Sequence, residues 1–190
     1  SSMSTFLIKA DGKNLLFDTG LGTPNSLLLP SLDSLGVKPE NVDAIFITHL
    51  HGDHVGGLAK DGVAVFPNAK VYISKAEYET MGGEETLAPY KGNVVCFEFG
   101  DKLICDIETI NAAGHTPGHA CYLKGDVLIA GDIMHGVALQ IVHPEFNASY
   151  DRDPETASET RVKMIELAKE NKLLLGGMHF PAPGVIDYRN

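Results

Sequence analysis

Short apolar runs alternate with turn-forming clusters along the chain, which predicts a strand-rich fold with helices interspersed. Thr5 to Lys9 and Asn14 to Phe17 read as two strands around Asp11-Gly12, a hairpin signal. Leu27 to Leu35 reads as a short helix ended by Gly36. Val42 to Thr48 (VDAIFIT) is apolar and β-branched, the pattern of a buried strand, and His49 to Gly57 follows as a loop. Lys70 to Ser74 reads as a strand and Lys75 to Met81 as a short helix. Asn93 to Phe99 and Lys102 to Thr109 flank Gly100-Asp101, whose order suits a II′ hairpin turn. Ala120 to Lys124 and Asp126 to Ala130 form a further hairpin around Gly125.

Asp153-Pro154 opens the most strongly marked helix, since Asp is a favoured N-cap and Pro a favoured first helical residue. Val162, Ile165 and Ala168 follow at helical spacing, with Met164 and Leu167 widening the apolar stripe. Leu173 to Leu175 is a last short strand. Two sheets with helices outside them satisfy this order of elements.

A length of 190 residues fits a single domain over 1–190. Hydrophobic residues make up 44% and charged residues 21%, which excludes a disordered tail, a collagen-like fibre and a disulfide-built mini-protein. No apolar run approaches the roughly 18 residues of a spanning helix. The net charge of -10 comes without a basic patch, so neither nucleic acid nor an anionic membrane is an expected partner. Ser1-Ser2-Met3-Ser4 carries no leader pattern, so the default location is cytoplasmic, or exported if a leader has been removed.

Cys96, Cys105 and Cys121 are too few for a disulfide framework, and reduced core thiols are expected. A II′ turn at Gly100-Asp101 would nonetheless place Cys96 opposite Cys105, where a bridge is geometrically allowed.

The candidate chemistry lies in Thr48-His49-Leu50-His51-Gly52-Asp53-His54, four potential ligands directly after a buried strand. His49 and His51 at i, i+2 project together from an extended segment. Asp53 and His54 then need the chain to turn, which Gly52 permits, and Gly56-Gly57 lets the backbone pass close by. Imidazole and carboxylate donors suit Zn, Fe, Mn and Co. Four neighbouring donors do not fit one tetrahedral ion with an open position, so two ions sharing the segment is the better reading. His115 in GHTPGH, Asp132 in AGD after a strand, and His179 in GGMHF after another strand complete a two-metal set. Taken singly, each of these three has an ordinary structural reading as a cap or a hydrogen-bonded histidine.

THLHGDH, GHTPGH, GD and a late His together resemble the metallo-β-lactamase fold superfamily. FDTGLG, VDAIFITHLHGDHVGGL, FPNAKVYIS, AGHTPGHACY, AGDIMHGVALQ and GGMHFPAPG are similar to the branch of methyl parathion hydrolase and lactonase-like hydrolases. The resemblance implies an α/β (α+β) fold, a four-layer αβ/βα sandwich with a dinuclear site at one edge. It implies that His49, His51 and His115 hold one divalent ion, that Asp53, His54 and His179 hold the other, and that Asp132 bridges them. Zn is the first choice, with Mn, Fe or Co as others.

In such a site a metal-bridging hydroxide attacks a carbonyl or phosphoryl centre, and Asp53 shuttles a proton to the leaving group. The resemblance implies that Asp18, which follows a strand, buttresses a ligating histidine; a turn-forming aspartate is the other reading. His119 reads as structural, His135 as pocket-lining or surface, and His143 as without a role.

Family members usually carry several dozen residues before the segment matching Thr5, so some N-terminal strands and part of the pocket rim are expected to be lacking. The pocket would then be open, or completed by another copy in a homo-oligomer. Gly82 to Val94 is shorter than in methyl parathion hydrolase and Trp is absent, so phosphotriester specificity is not carried over.

The expected activity is hydrolysis of a small lactone or carboxylic ester, with a phosphotriester left open. Three alternatives stand beside it. A thioesterase of the glyoxalase II kind carries a substrate domain after the last ligand, and only 11 residues follow His179. A metal-dependent nuclease conflicts with the acidic charge. A non-catalytic module would retain its metals for stability alone.

Overall fold

A computed structural model describes residues 2–189. The chain divides into two compact units, Thr5–Phe97 and a second made of the remainder together with the residues before Thr5.

The N-terminal unit is a five-stranded sheet with helices against it. In chain order it holds β1 (Phe6–Ala10), β2 (Lys13–Phe17), α1 (Leu28–Ser34), β3 (Ala44–Phe46) and α2 (Gly52–Val55). The small hairpin β4 (Ala59–Lys60) and β5 (Val63–Ala64) comes next, then β6 (Lys70–Ser74), α3 (Lys75–Thr80), α4 (Gly83–Thr86) and β7 (Val94–Phe97). The sheet order is β1-β2-β3-β6-β7. β1 and β2 are antiparallel, as a hairpin must be, and the other pairs are parallel. Leu16, Ile45, Val71 and Ile73 meet Leu32 of α1 in one core cluster. Phe17, Phe46 and Tyr72 stack across three adjacent strands at 5.0 Å between ring centres.

α1 stops where Gly36 predicts. Gly36 is left-handed, the Gly36 N–H donates to the Asp33 carbonyl and the Val37 N–H to the Leu32 carbonyl. That pair of bonds is a Schellman closure. β3 is shorter than the predicted 42–48 strand because the Thr48 N–H leaves the ladder and donates to the Asp18 carboxylate at 2.8 Å.

The C-terminal unit holds β8 (Glu108–Asn111), β9 (Ala120–Lys124), β10 (Val127–Ile129), α5 (Val137–Gln140), α6 (Pro154–Glu170), β11 (Leu174–Gly176) and β12 (Val185–Asp187). Its sheet order is β12-β11-β10-β9-β8, with only the β10/β11 pair parallel. Met164, Ile165 and Ala168 of α6 pack on Cys121, Leu128 and Leu175 of the sheet. The Asp153 carboxylate caps α6 by accepting from the Thr156 N–H and hydroxyl at 3.1 and 2.7 Å.

Three sequence expectations fail. Gly100-Asp101 is not a hairpin turn: β7 pairs with β6 and β8 with β9, and Leu103–Ile107 contains a 3-10 turn with Cys105 and Asp106 left-handed. Its apolar residues mimic a strand, but both would-be partners have their hydrogen bonds elsewhere. Cys96, Cys105 and Cys121 are accordingly free thiols. On α6 the buried positions are Ala157, Arg161, Met164, Ile165 and Ala168, so Arg161 takes the place that Val162 was expected to fill. Residues 49–57 are not all loop, because α2 turns one helical turn within them. Among the described residues, no helix is long and apolar enough to cross a membrane.

Candidate metal centre

The seven predicted ligands divide between the two units. His49, His51, Asp53 and His54 belong to the N-terminal unit. Here the chain turns by forming α2, with His51 as its extended N-cap residue. Gly52 needs no left-handed backbone, and a Cβ there would meet nothing within 4 Å. The close approach lies further on: a Cβ on Gly56 would stand 2.3 Å from the Leu21 carbonyl oxygen.

The side chains converge. His49 Nε2 lies 3.0 Å from His51 Nδ1, and the His49 and His54 ring centres are 3.9 Å apart. His54 Nε2 is 4.0 Å from an Asp53 oxygen. His49 and His54 are fully buried.

Asp18 stands behind this cluster, as the sequence suggested. One oxygen accepts the Thr48 N–H at 2.8 Å; the other accepts the Thr48 hydroxyl at 2.8 Å and lies 2.7 Å from His54 Nδ1. Thr19 holds the His54 carbonyl through both its N–H and its hydroxyl, at 2.7 and 2.9 Å. A carboxylate on Nδ1 fixes the ring and leaves Nε2 as the outward donor.

The sequence reading missed Glu77. This fully buried carboxylate on α3 accepts the N–H of Leu50, the residue between His49 and His51, at 2.9 Å. The signal was available: Ser74-Lys75-Ala76-Glu77 has capping-box spacing, and Ser74 does cap α3, but the Glu77 carboxylate reaches the ligand loop.

In the C-terminal unit three imidazoles point Nε2 at one oxygen, Asp132 Oδ2: His135 at 3.0 Å, His179 at 3.2 Å and His115 at 3.6 Å. His115, Asp132 and His135 together satisfy the spacing of a metal-ion donor group. His135 is therefore at the site rather than on the surface. His119 is structural, as expected: one ring nitrogen faces the Ala112 carbonyl at 3.1 Å and the other accepts the Asp132 N–H at 3.1 Å. His179 Nδ1 faces the Ser2 carbonyl at 3.2 Å.

His115 has a carboxylate behind it too. Its Nδ1 lies 2.7 Å from Asp151, a buried residue that the sequence reading did not select. Burial raises the Asp151 carboxyl, but hydrogen bonds from His115 and the Ala148 N–H, with the charges of His115 and His135, outweigh it and hold the pKa low. Nothing local in the sequence marks Asp151.

These residues fit a divalent cation. Ligands of a tetrahedral ion with bonds near 2.0–2.1 Å stand about 3.3 Å apart. The spacings around Asp132 Oδ2 are of that size. Two of the imidazoles, His54 and His115, have Nδ1 on a carboxylate, the usual preparation of a ligating ring. Beside His135 and His179 an open cavity of about 520 Å³ is lined by Val137, Ala138, Leu139, Pro181 and Ala182.

The solved structure of the hydrolase AbOPH, of the beta lactamase superfamily, superposes with a TM-score of 0.88 at 34% identity, over 97% of this chain and 74% of that one. AidC, a dizinc quorum-quenching lactonase solved with a product, gives 0.89 at 25% identity over the same shares. Hydroxyacylglutathione hydrolase of Vibrio campbellii is 29% identical over 76% of this chain and 51% of its own length. The chain spans 51% to 67% of the curated relatives it matches. The family model of the metallo-beta-lactamase superfamily matches residues 2–179, and the chain belongs to that superfamily.

Proposed function

We propose that this chain is a dinuclear metal-dependent hydrolase of a small lactone or carboxylic ester. The observation that supports the reading is that His115 and His179 both turn Nε2 to Asp132 Oδ2, at 3.6 and 3.2 Å. In this reading His49, His51 and His115 hold one ion, Asp53, His54 and His179 the other, and Asp132 both. Two such ions supply a water of near-neutral pKa and a Lewis acid for the substrate oxygen. Zn is the favoured metal, supported by the dizinc relative.

The chain's own residues orient and exclude. Asp18 and Asp151 fix the rings of His54 and His115. Asp53, with its side chain 24% exposed, is the group able to carry a proton to the departing oxygen. The apolar walls at Val137 to Leu139, Pro181 and Ala182 suit the hydrocarbon part of a neutral substrate. A thioester is the second reading, favoured by the similarity to hydroxyacylglutathione hydrolase.

The test is metal analysis joined to a substrate panel. The chain is purified without chelators, its metal per chain is measured, and it is assayed on a γ-lactone, an aryl ester, a thioester, a phosphotriester and a phosphodiester. Two ions per chain and chelator-sensitive lactone or ester turnover are expected. Preference for the thioester transfers the assignment to the second reading. A metal-loaded chain inert to the whole panel overturns both.

A further inference from the structure

We propose that Arg161 is a positioning residue for the C-terminal set of ligands, acting from the middle of α6 through Asp151 on His115. The inference rests on the metal-site reading above.

Arg161 is 1% exposed. A guanidinium is buried at a large cost unless its donors are matched. Here they are spread over two loops. Nε donates to the Ile133 carbonyl at 2.7 Å, next to Asp132. Nη1 donates to the Asn147 side-chain oxygen at 3.2 Å and to the Pro144 carbonyl. Nη2 lies 3.7 Å from Asp151 Oδ2, an oxygen that also accepts the Ala148 N–H at 2.8 Å. The other Asp151 oxygen holds His115 Nδ1 at 2.7 Å. The chain of contacts runs from arginine to carboxylate to imidazole, and its end is the Nε2 facing Asp132.

The backbone ties the same pieces together. The Arg152 N–H donates to the His115 carbonyl at 3.2 Å and the Asp153 N–H to the Gly114 carbonyl at 2.9 Å. Gly114, with φ +129, approaches α6 so closely that a Cβ would stand 2.3 Å from the Ala157 nitrogen. α6 therefore grips the His115 loop at its first turn and the Asp151 and Asp132 loops at Arg161. Filling space does not require this arginine, since apolar residues in place of a buried ion pair are often neutral or stabilising. The placement of its acceptors, beside Asp132 and behind His115, points to the ligands.

The test compares wild type with Arg161→Met, Arg161→Lys, Asp151→Asn and the double variant Arg161→Met/Asp151→Asn. Each is stripped of metal and its zinc affinity is measured by competition with a chromophoric chelator. Thermal unfolding of the metal-free proteins is followed in parallel. Arg161→Met and Asp151→Asn are each expected to weaken one zinc site about 10–100-fold. The double variant should be no weaker than about twice the larger single effect, because both act along one path. Arg161→Lys should recover part of the affinity, keeping the charge but not the fork of donors.

Zinc binding by Arg161→Met equal to wild type, whatever its melting temperature, overturns the proposal. So does a double variant whose loss is the product of the two singles. If Arg161→Met does not fold, Arg161→Lys, alone and combined with Asp151→Asn, decides by the same criteria. A wild type that takes up no zinc overturns the metal-site reading and this one together, whereas a zinc-binding wild type matched by its variants overturns this one alone.

Discussion

In the N-terminal unit, His49, His51, Asp53 and His54 come from six consecutive residues, and one helical turn suffices to gather them. In the C-terminal unit, His115, Asp132, His135 and His179 come from three separate loops, gathered by the sheet and by α6. Their supports differ accordingly. Asp18 sits at the end of β2, and the neighbouring strand end brings Thr48 and then His54 to it. Asp151 comes from a long loop and needs Ala148 and the buried Arg161 to hold it. A short motif can be organised by its own backbone; a dispersed set needs polar groups buried in the core behind it.

Asp132→Ala should break the dispersed set most. It removes the oxygen on which three imidazoles converge, and turnover in the substrate panel is expected to fall on the order of 10³-fold, several kcal/mol of lost charge stabilisation. Metal per chain should fall with it. Retained metal with retained turnover would show that the C-terminal donors do not act as a unit.

The supports come next in size. Asp18→Asn and Asp151→Asn should each weaken zinc binding about 10–100-fold, measured by chelator competition. Equal losses would mean that local and dispersed supports are equivalent, and a loss confined to Asp18→Asn would make the dispersed support dispensable.

The Asp151 carboxyl also titrates below its ordinary value of 3.8. Its contribution to the stability of the metal-free protein is therefore intact above that value and lost as pH falls through the lowered one. Asp151→Asn should flatten the acid limb of the stability curve in urea titrations carried below about pH 4.

Two glycines give the smallest contrast. Gly56→Ala forces a Cβ onto the Leu21 carbonyl and should cost about 1–3 kcal/mol in denaturant unfolding. Gly52→Ala meets open space and should stay within about 0.5 kcal/mol. A severe Gly52→Ala would restore the idea that this glycine makes the turn.

Much of the fold was readable from local pattern. The hairpins at Asp11-Gly12 and Gly125, the strand Lys70–Ser74 and the capped helix at Asp153-Pro154 have signals within a few residues. The failure at Gly100-Asp101 has the same root. Glycine and aspartate between two apolar runs describe a hairpin locally, but β7 pairs with β6 before it and β8 with β9 after it, so neither pairs across Gly100-Asp101. Cys96 and Cys105 looked paired only because of that register.

The candidate site divides along the same line. THLHGDH, the GHTPGH histidine, the GD aspartate and the late His179 were visible because the donor types and their places after strands are sequence properties. Asp151 was not visible, since an aspartate in a loop becomes a support only when a histidine 36 residues away is brought within 2.7 Å of it. Glu77 and Arg161 lay on readable patterns, a capping box and a buried helical stripe, yet the pattern could not say which loop they would hold.

What the sequence determined was therefore seven candidate donors, most of the strands they follow and the family to which the chain belongs. What tertiary structure decided was which buried charges stand behind those donors. Local pattern fixes backbone conformation, which depends on neighbours in the chain. The pairing of buried charges depends on desolvation, which arises only after distant segments have packed.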